Sequence, residues 1–126
     1  MNKSLKENNS GKIYPRNLAY AKKALEEANF SCEVDNAHKT FISKAMNKQY
    51  MEAHHLIPLQ FQEDFSYSLD IPANIVSVCP NCHRKLHFGF IEDKKEILKK
   101  LFERKNNKLK EFGIIINEDE LFEIYT

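Results

Sequence analysis

The distribution of potential metal ligands constrains this chain more than any other feature of its sequence. All five histidines and all three cysteines lie between Cys32 and His87. A single histidine is commonly a hydrogen-bonded structural residue, but core packing does not account for a cluster of every such residue in one stretch. The spacings inside the cluster are also those of metal ligands, so we expect bound metal in this part of the fold.

Two pairs of histidines supply the ligands of one predicted metal site. His83 and His87 are four residues apart in a predicted helix, which places both imidazoles on one face, one turn apart. The adjacent pair His54 and His55 ends a predicted strand and is the best source of a third ligand. Because neighbouring strand residues point to opposite faces, this second pair predicts one ligand and one free imidazole.

The cysteines indicate metal binding rather than a disulfide framework. Three thiols cannot all pair within the chain, and only two residues separate Cys79 from Cys82. The polar N-terminal sequence also lacks the apolar segment of a secretory signal. Metal ligation is therefore favoured over disulfide bonding.

Size and charge limit the remaining possibilities. The 126 residues suffice for one domain with a modest core, which we place at residues 14–126 after a polar, flexible tail at residues 1–13. A formal net charge of +1 argues against a protein that coats nucleic acid by charge alone, so any such contact is local. No apolar run approaches the roughly 20 residues of a membrane span, and we expect a cytoplasmic protein with no membrane partner.

Apolar periodicity, prolines and glycines predict an α+β fold. Helices are expected at three places: residues 15–29, a metal-binding turn and helix at residues 79–89 that stops at Gly89, and a helix from Glu92 to Gly113. Strands are expected within residues 50–59, where Pro58 ends the strand, and within residues 74–79. Residues 61–74 are expected to form a loop, and residues 114–126 a short strand with a terminal helical turn.

Two sets of apolar residues are expected to pack rather than to act chemically. One is the stripe on the helix after Glu92, formed by Ile97, Leu98, Leu101 and Phe102. The other is a set of aromatic residues expected in the core or anchoring loops, namely Tyr50, Phe61, Phe65, Tyr67 and Phe88.

Three segments, in order, resemble the signature of the HNH endonucleases: EAHHLIPL at residues 52–59, SLDIPANIV at residues 68–76 and CPNCHRKLH at residues 79–87. These enzymes, colicin-type DNases among them, share a small metal-binding core of two strands and a helix. The resemblance is close over residues 52–88 and looser over residues 15–51. It implies a ββα-metal core within residues 30–90, flanked by helices, with residues 91–126 as a helical extension.

The resemblance implies roles for five residues. His55 resembles the general base, while His54, His83 and His87 resemble ligands of the catalytic metal. Asn74 resembles the residue that orients the loop bearing the base. The implied catalytic set is therefore His55 and Asn74 with the ligands His54 and His83. A neutral imidazole with a pKa of about 6.5 can accept a proton from water near physiological pH, as the role of base requires.

The implied reaction is metal-dependent hydrolysis of phosphodiester bonds, with double-stranded DNA as the expected partner and with 5′-phosphate and 3′-hydroxyl ends as products. In many family members an aspartate precedes the base, whereas this chain has His54. Three imidazoles favour Mn, Ni, Co or Zn over Mg at the catalytic site.

The resemblance also implies a structural zinc site. Cys79 and Cys82 form half of a zinc knuckle, and Cys32 supplies a third thiolate if residues 30–41 fold back beside the second strand. A second cysteine that is usual in the family is replaced here by Asp35. We favour His38 over Asp35 as the fourth ligand because a Cys3His set is commoner. The alternative is a degenerate site that holds no metal.

Partner and role are less determined by the sequence. Arg84 and Lys85 on the site-bearing helix are candidate contacts to phosphate. Modules of this kind serve restriction and defence, among other roles, and sequence specificity is left to a partner protein, to a further domain, or to neither. One alternative function is a non-catalytic zinc module that binds nucleic acid or protein, which leaves the histidines unexplained. Another is a zinc hydrolase acting on a small substrate.

Overall fold

A computed structural model describes residues 16–126, so the expected tail at residues 1–13 lies outside the described residues. Six regular elements follow one another along the chain: α1 (Leu18–Glu27), β1 (Glu52–His55), β2 (Ile75–Val78), α2 (Pro80–Phe88), α3 (Ile91–Glu111) and α4 (Glu118–Ile124). Two short 3-10 helices, Leu59–Asp64 and Pro72–Asn74, occupy parts of the connection between the strands, and the first begins two residues before the expected loop at residues 61–74. The predicted α+β class is confirmed.

The two strands and α2 form the small ββα core that the sequence predicts. β1 and β2 pair in antiparallel register, with His54 opposite Val76 and His55 opposite Ile75. Both strands are slightly shorter than expected, although the Leu56 backbone N–H still donates to the carbonyl of Asn74, the next position in the register. α2 begins two residues after β2, so the sheet and the helix bring their histidines together.

α1 begins and ends inside the range that its periodicity indicates. The Asn17 side chain accepts a hydrogen bond from the Ala19 backbone N–H, which caps the first turn. Ala24 is the buried residue of this helix, and Leu25 packs partly against the core. Leu18, in contrast, is 82% exposed, so the apolar spacing correctly indicated a helix but not its buried face.

α3 carries the expected apolar stripe. Ile97, Leu98 and Leu101 are buried, and Phe102 is partly buried against them. The helix ends in a Schellman motif, because the N–H groups of Gly113 and Ile114 donate to the carbonyls of Lys110 and Leu109. Gly113 has a φ of +79°, and a Cβ there would lie 2.6 Å from the Tyr67 ring. Both the positive φ and the close approach of the Tyr67 ring therefore require glycine at the end of α3.

The expected strand after Gly113 is wrong. Within residues 16–126 the sheet consists of β1 and β2, and residues 114–117 lead directly into α4. Asn117 and Glu120 form a capping box that fixes the start of this helix. α4 packs on α3, with Leu121 and Tyr125 four residues apart on its buried side.

The other sequence-based expectations have mixed outcomes. Phe61, Phe65 and Tyr67 pack against the core, but Phe88 is 78% exposed, so its expected burial is wrong. Gly89 follows the end of α2 and has an extended backbone conformation. A Cβ atom at this position would lie 2.8 Å from the Lys85 carbonyl oxygen. No helix within residues 16–126 is both long enough and apolar enough to cross a membrane.

Candidate metal centres and active site

Four side chains meet at the N-terminal end of α2. Cys79 is the cap of α2, where its sulfur accepts a hydrogen bond from the Cys82 backbone N–H at 3.4 Å. The segment that carries Cys32 lies along β2, because the Glu33 backbone N–H donates to the Ser77 carbonyl at 2.8 Å. The fold-back of the segment that bears Cys32 therefore brings all three buried thiols into one cluster with His38. We call these four residues the thiol cluster.

The distances in the thiol cluster fit a tetrahedral zinc ion. His38 Nδ1 lies 3.6 Å from the Cys79 sulfur and 3.5 Å from the Cys82 sulfur, and the Cys32 and Cys82 sulfurs are 3.9 Å apart. Tetrahedral geometry with ordinary zinc–ligand bond lengths requires about 3.6 Å between nitrogen and sulfur, and about 3.8 Å between sulfurs. Asp35 lies outside the cluster, with its carboxylate 3.8 Å from His38 Nε2.

The three thiols differ in their local electrostatics. Burial by itself raises the pKa of Cys32, but hydrogen bonds from the backbone N–H groups of Cys79 and Asp35, among others, outweigh it and lower the pKa. Burial and the neighbouring thiols raise the pKa of Cys82. Three thiols this close repel one another as thiolates unless a cation lies between them, so the donor set suits a divalent ion.

The second cluster joins β1 to the middle of α2. His54 is buried, and the ligand nitrogens of His54, His83 and His87 all lie within 4.8 Å of one another. The Nε2 atoms of His83 and His87 are 3.1 Å apart, close to the roughly 3.3 Å expected for two imidazoles on one tetrahedral ion. His87 is exposed, so this side of the cluster is open to solvent. We call these three residues the imidazole cluster.

Glu52 is hydrogen-bonded to His83, the first histidine of α2. Its Oε1 accepts a hydrogen bond from His83 Nδ1 at 2.8 Å, and its Oε2 accepts one from the Tyr50 hydroxyl at 2.7 Å. Burial raises the pKa of Glu52, but the bonds from Tyr50 and His83 outweigh this effect and lower it, so the carboxylate is charged. With its Nδ1 proton donated to Glu52, His83 presents the Nε2 lone pair to the cluster.

His54 is held from the opposite side by Tyr125, the residue after α4. His54 Nε2 lies 2.8 Å from the hydroxyl oxygen of Tyr125, and that hydroxyl donates to the Leu56 carbonyl at 2.5 Å. Burial raises the pKa of Tyr125, so the phenol stays protonated. Burial, followed by the nearby His83 and His87, lowers the pKa of His54 to about 3. His54 is therefore neutral at physiological pH, as a metal ligand must be.

His55 is separate from the imidazole cluster and has a carboxylate partner of its own. Its Nε2 lies 2.8 Å from Asp70 Oδ1, and the other oxygen of Asp70 accepts a hydrogen bond from the Asn17 backbone N–H at 2.6 Å. Burial lowers the pKa of His55 and outweighs the opposing effect of Asp70. The imidazole is thus neutral near pH 7, with Nε2 donating to Asp70 and Nδ1 left as a free acceptor.

Asn74 joins the loop after β1 to the loop before β2. Its Oδ1 accepts from the Ile57 backbone N–H at 2.9 Å, and its Nδ2 donates to the carbonyls of Ile57 at 3.0 Å and Leu69 at 2.9 Å. The side chain is fully buried. It therefore fixes the residues that follow His55 and, through Leu69, the position of Asp70.

Three residues of the site were not identified from the sequence. Glu52 had a usable signal, because it lies two residues before His54 on a strand and so shares its face. Asp70 lies in an irregular loop, and Tyr125 is 71 residues away from His54. No periodicity connects these two residues to the histidines. The expected phosphate contacts Arg84 and Lys85 are both exposed on α2.

Comparison with known proteins agrees with this geometry. Residues 32–89 match the family model described as HNH endonuclease, and this range contains both clusters, His55 and Asn74. The chain is also 33% identical over 91 residues to the "Type IV methyl-directed restriction enzyme EcoKMcrA" of Escherichia coli strain K12. The matched segment is 72% of this chain but 30% of that relative. Residues 32–89 therefore have the sequence of an HNH endonuclease domain.

Proposed function

We propose that this chain is a metal-dependent DNA endonuclease in which His54, His83 and His87 bind the catalytic ion and His55 is the general base. The observation that carries the proposal is the division between the two adjacent histidines of β1. His54 converges with two helical imidazoles, whereas His55 pairs with Asp70 and keeps one nitrogen free. A ligand set with an open side, next to a neutral base, suits hydrolysis better than purely structural metal binding.

The protein groups have distinct tasks in the proposed reaction. The Nδ1 atom of His55 accepts a proton from the attacking water, and Asp70 stabilises the imidazolium that results. Asn74 holds the residues that follow His55 and, through Leu69, the loop that carries Asp70. A divalent ion, when bound, supplies positive charge to the scissile phosphate and to the leaving 3′ oxygen. The products are a 5′-phosphate and a 3′-hydroxyl end.

Two further features support nucleic acid as the substrate. Arg84 and Lys85 lie exposed on the helix that bears His83 and His87, where they can contact a phosphate backbone. The similar Escherichia coli protein is named as a methyl-directed restriction enzyme, and its name supports DNA as the substrate of this chain too.

The contact between Tyr125, the residue after α4, and His54 supports treating residues 91–126 as part of the same domain.

The direct test is incubation of the purified chain with supercoiled plasmid and a panel of Mn, Ni, Co, Zn and Mg ions. We expect relaxed or linear products with at least one of these ions and none after chelation. Methylated and unmethylated plasmids are compared in parallel. A chain that leaves both plasmids intact with every ion would contradict the proposal.

Metal stoichiometry separates this function from the two alternatives. A nuclease with a structural zinc site binds two ions per chain, and the double variant His83→Ala/His87→Ala should bind one. One ion in the wild type, retained in that variant, would favour a non-catalytic zinc module. Turnover of a small phosphodiester or ester without plasmid cleavage would favour a small-substrate hydrolase.

A further inference from the structure

We propose that Tyr125 is a positioning residue for the catalytic metal: its hydroxyl holds His54 in the tautomer whose Nδ1 atom is free to bind the ion. This inference rests on the proposed metal site. It extends that site to a residue beyond α4, outside the segment that matches the HNH family.

The Tyr125 phenol has a single proton, and so it can donate only one hydrogen bond. The Tyr125 hydroxyl is 2.5 Å from the Leu56 carbonyl oxygen, which can only accept a hydrogen bond, so the phenol proton lies on that side. The phenol oxygen is then left as an acceptor toward His54 Nε2, 2.8 Å away. His54 must therefore carry its proton on Nε2. In a neutral imidazole this leaves the lone pair on Nδ1.

Lys94 contacts both the backbone carbonyl and the ring of Tyr125, and these contacts fix the position of the phenol. The ammonium group of Lys94, a buried residue of α3, donates to the Tyr125 carbonyl at 3.1 Å and lies 5.9 Å from the centre of its ring. Tyr125 is itself 8% exposed, so water has little access to compete for its hydroxyl. A rigid acceptor of this kind selects one tautomer of its histidine more strongly than a mobile side chain does.

The arrangement has a counterpart on the other side of the imidazole cluster. Glu52 takes the Nδ1 proton of His83 and leaves Nε2 free, whereas Tyr125 takes the Nε2 proton of His54 and leaves Nδ1 free. Each of these two histidines thus has one nitrogen occupied by a fixed partner. The two partners set the ring orientations before metal binds, which reduces the cost of ordering the ligands.

The test uses Tyr125→Phe, which removes one oxygen atom and keeps the buried ring. We expect Mn or Co binding at the imidazole cluster to weaken by about 10–100-fold in titration calorimetry. Tyr20→Phe, which removes a hydroxyl from α1, is the matched control and should bind metal as the wild type does. With the imidazole cluster free of metal, Tyr125→Phe should still fold but should melt somewhat below the wild type, because His54 and the Leu56 carbonyl lose a buried hydrogen-bond partner.

A nitrogen-15 NMR spectrum of the histidine rings reads the tautomer directly in the protein with the imidazole cluster free of metal. We expect His54 to be protonated on Nε2 in the wild type and to become a mixture of tautomers in Tyr125→Phe. Protonation of His54 on Nδ1 in the wild type, or unchanged metal affinity in Tyr125→Phe, would overturn the proposal. Failure of the wild type to bind Mn or Co at this cluster would instead overturn the proposed function.

Discussion

The two clusters share one helix but differ in the chemistry that their surroundings allow. The thiol cluster at the start of α2 consists of three buried cysteines and His38, and it offers four potential ligands for one ion. The imidazole cluster lies further along α2, where His83 directly follows Cys82. It offers three potential ligands, of which His87 is exposed. A closed set of four ligands fastens chain segments together, whereas an open set of three leaves a position for water or substrate.

The comparison also shows how each cluster is supported. The thiol cluster lies where the segment that bears Cys32 folds back on β2 and is held there by the hydrogen bond from Glu33 to Ser77. The imidazole cluster is supported by hydrogen bonds from outside, through Glu52 and Tyr125, which orient its rings. Loss of a ligand should thus destabilise the fold in the first case and weaken metal binding or turnover in the second.

The largest effect is expected from Cys82→Ser in the thiol cluster. Structural zinc contributes on the order of 10 kcal/mol in small zinc domains, so loss of one ligand should lower the melting temperature by on the order of 10 °C or more. Chelation of the wild type should produce a similar decrease, measured by circular dichroism. An unchanged melting temperature together with lost activity would show that the thiol cluster is not structural.

His55→Ala should affect the reaction and leave the fold intact. Removal of a general base typically lowers the rate by about 10²–10⁴-fold. Single-turnover cleavage of plasmid, together with metal titration and thermal melting, measures the three properties separately. Lys99→Ala, an exposed position on α3, is the control. Near-wild-type cleavage by His55→Ala with metal still bound would falsify the assignment of the base.

Glu52→Gln should weaken the imidazole cluster without disturbing the thiol cluster. The substitution keeps the shape of the side chain but removes the charge that accepts the His83 proton, so catalytic-metal affinity should fall by about 10–100-fold. Glu96→Gln on α3 is the matched control. Equal metal affinity in the two variants would mean that Glu52 does not support the site.

The stability of the protein without metal in its imidazole cluster should depend on pH through His54. Its pKa is about 3 in the folded protein and near 6.5 in the unfolded chain. Between these values the unfolded chain binds the proton and the folded protein does not, so the free energy of unfolding falls as pH falls. One such group contributes a slope of at most about 1.4 kcal/mol per pH unit. Denaturant melts of wild type and His54→Gln from pH 6.5 to 4 should show the shallower slope in the variant, and equal slopes would contradict the neutral state of His54.

The smallest effect is expected in metal preference. Three neutral imidazoles give Mg no anionic oxygen from the protein, so Mn should support half-maximal cleavage at a lower concentration than Mg. His54→Asp restores a hard ligand and should shift the balance several-fold toward Mg. The concentrations for half-maximal nicking measure this shift, and an identical Mg preference in both proteins would show that His54 does not bind the ion.

The sequence by itself determined the features that depend on local spacing. The four-residue interval between His83 and His87 places them on one helical face, and Cys79 and Cys82 meet because they occupy the cap and first turn of the same helix. The alternation of side chains along a strand separates His54 from His55. The helix end at Gly113 and the apolar stripe of α3 are of the same kind, since each is set by residues within a few turns of one another. The ββα core was expected from the resemblance to the HNH endonucleases rather than from local spacing.

Only the tertiary structure decided which distant residues complete the two clusters. His38 rather than Asp35 approaches the cysteines because the segment from residue 30 to 41 follows a path along β2 that no periodicity specifies. Asp70 reaches His55 across 15 residues of largely irregular chain, Glu52 reaches His83 across 31, and Tyr125 reaches His54 across 71. Such contacts depend on how whole elements pack, and packing is decided by the sum of many weak interactions over the core. Propensity and spacing report on single segments, so they pointed to the residues of the two clusters but not to the groups that contact them.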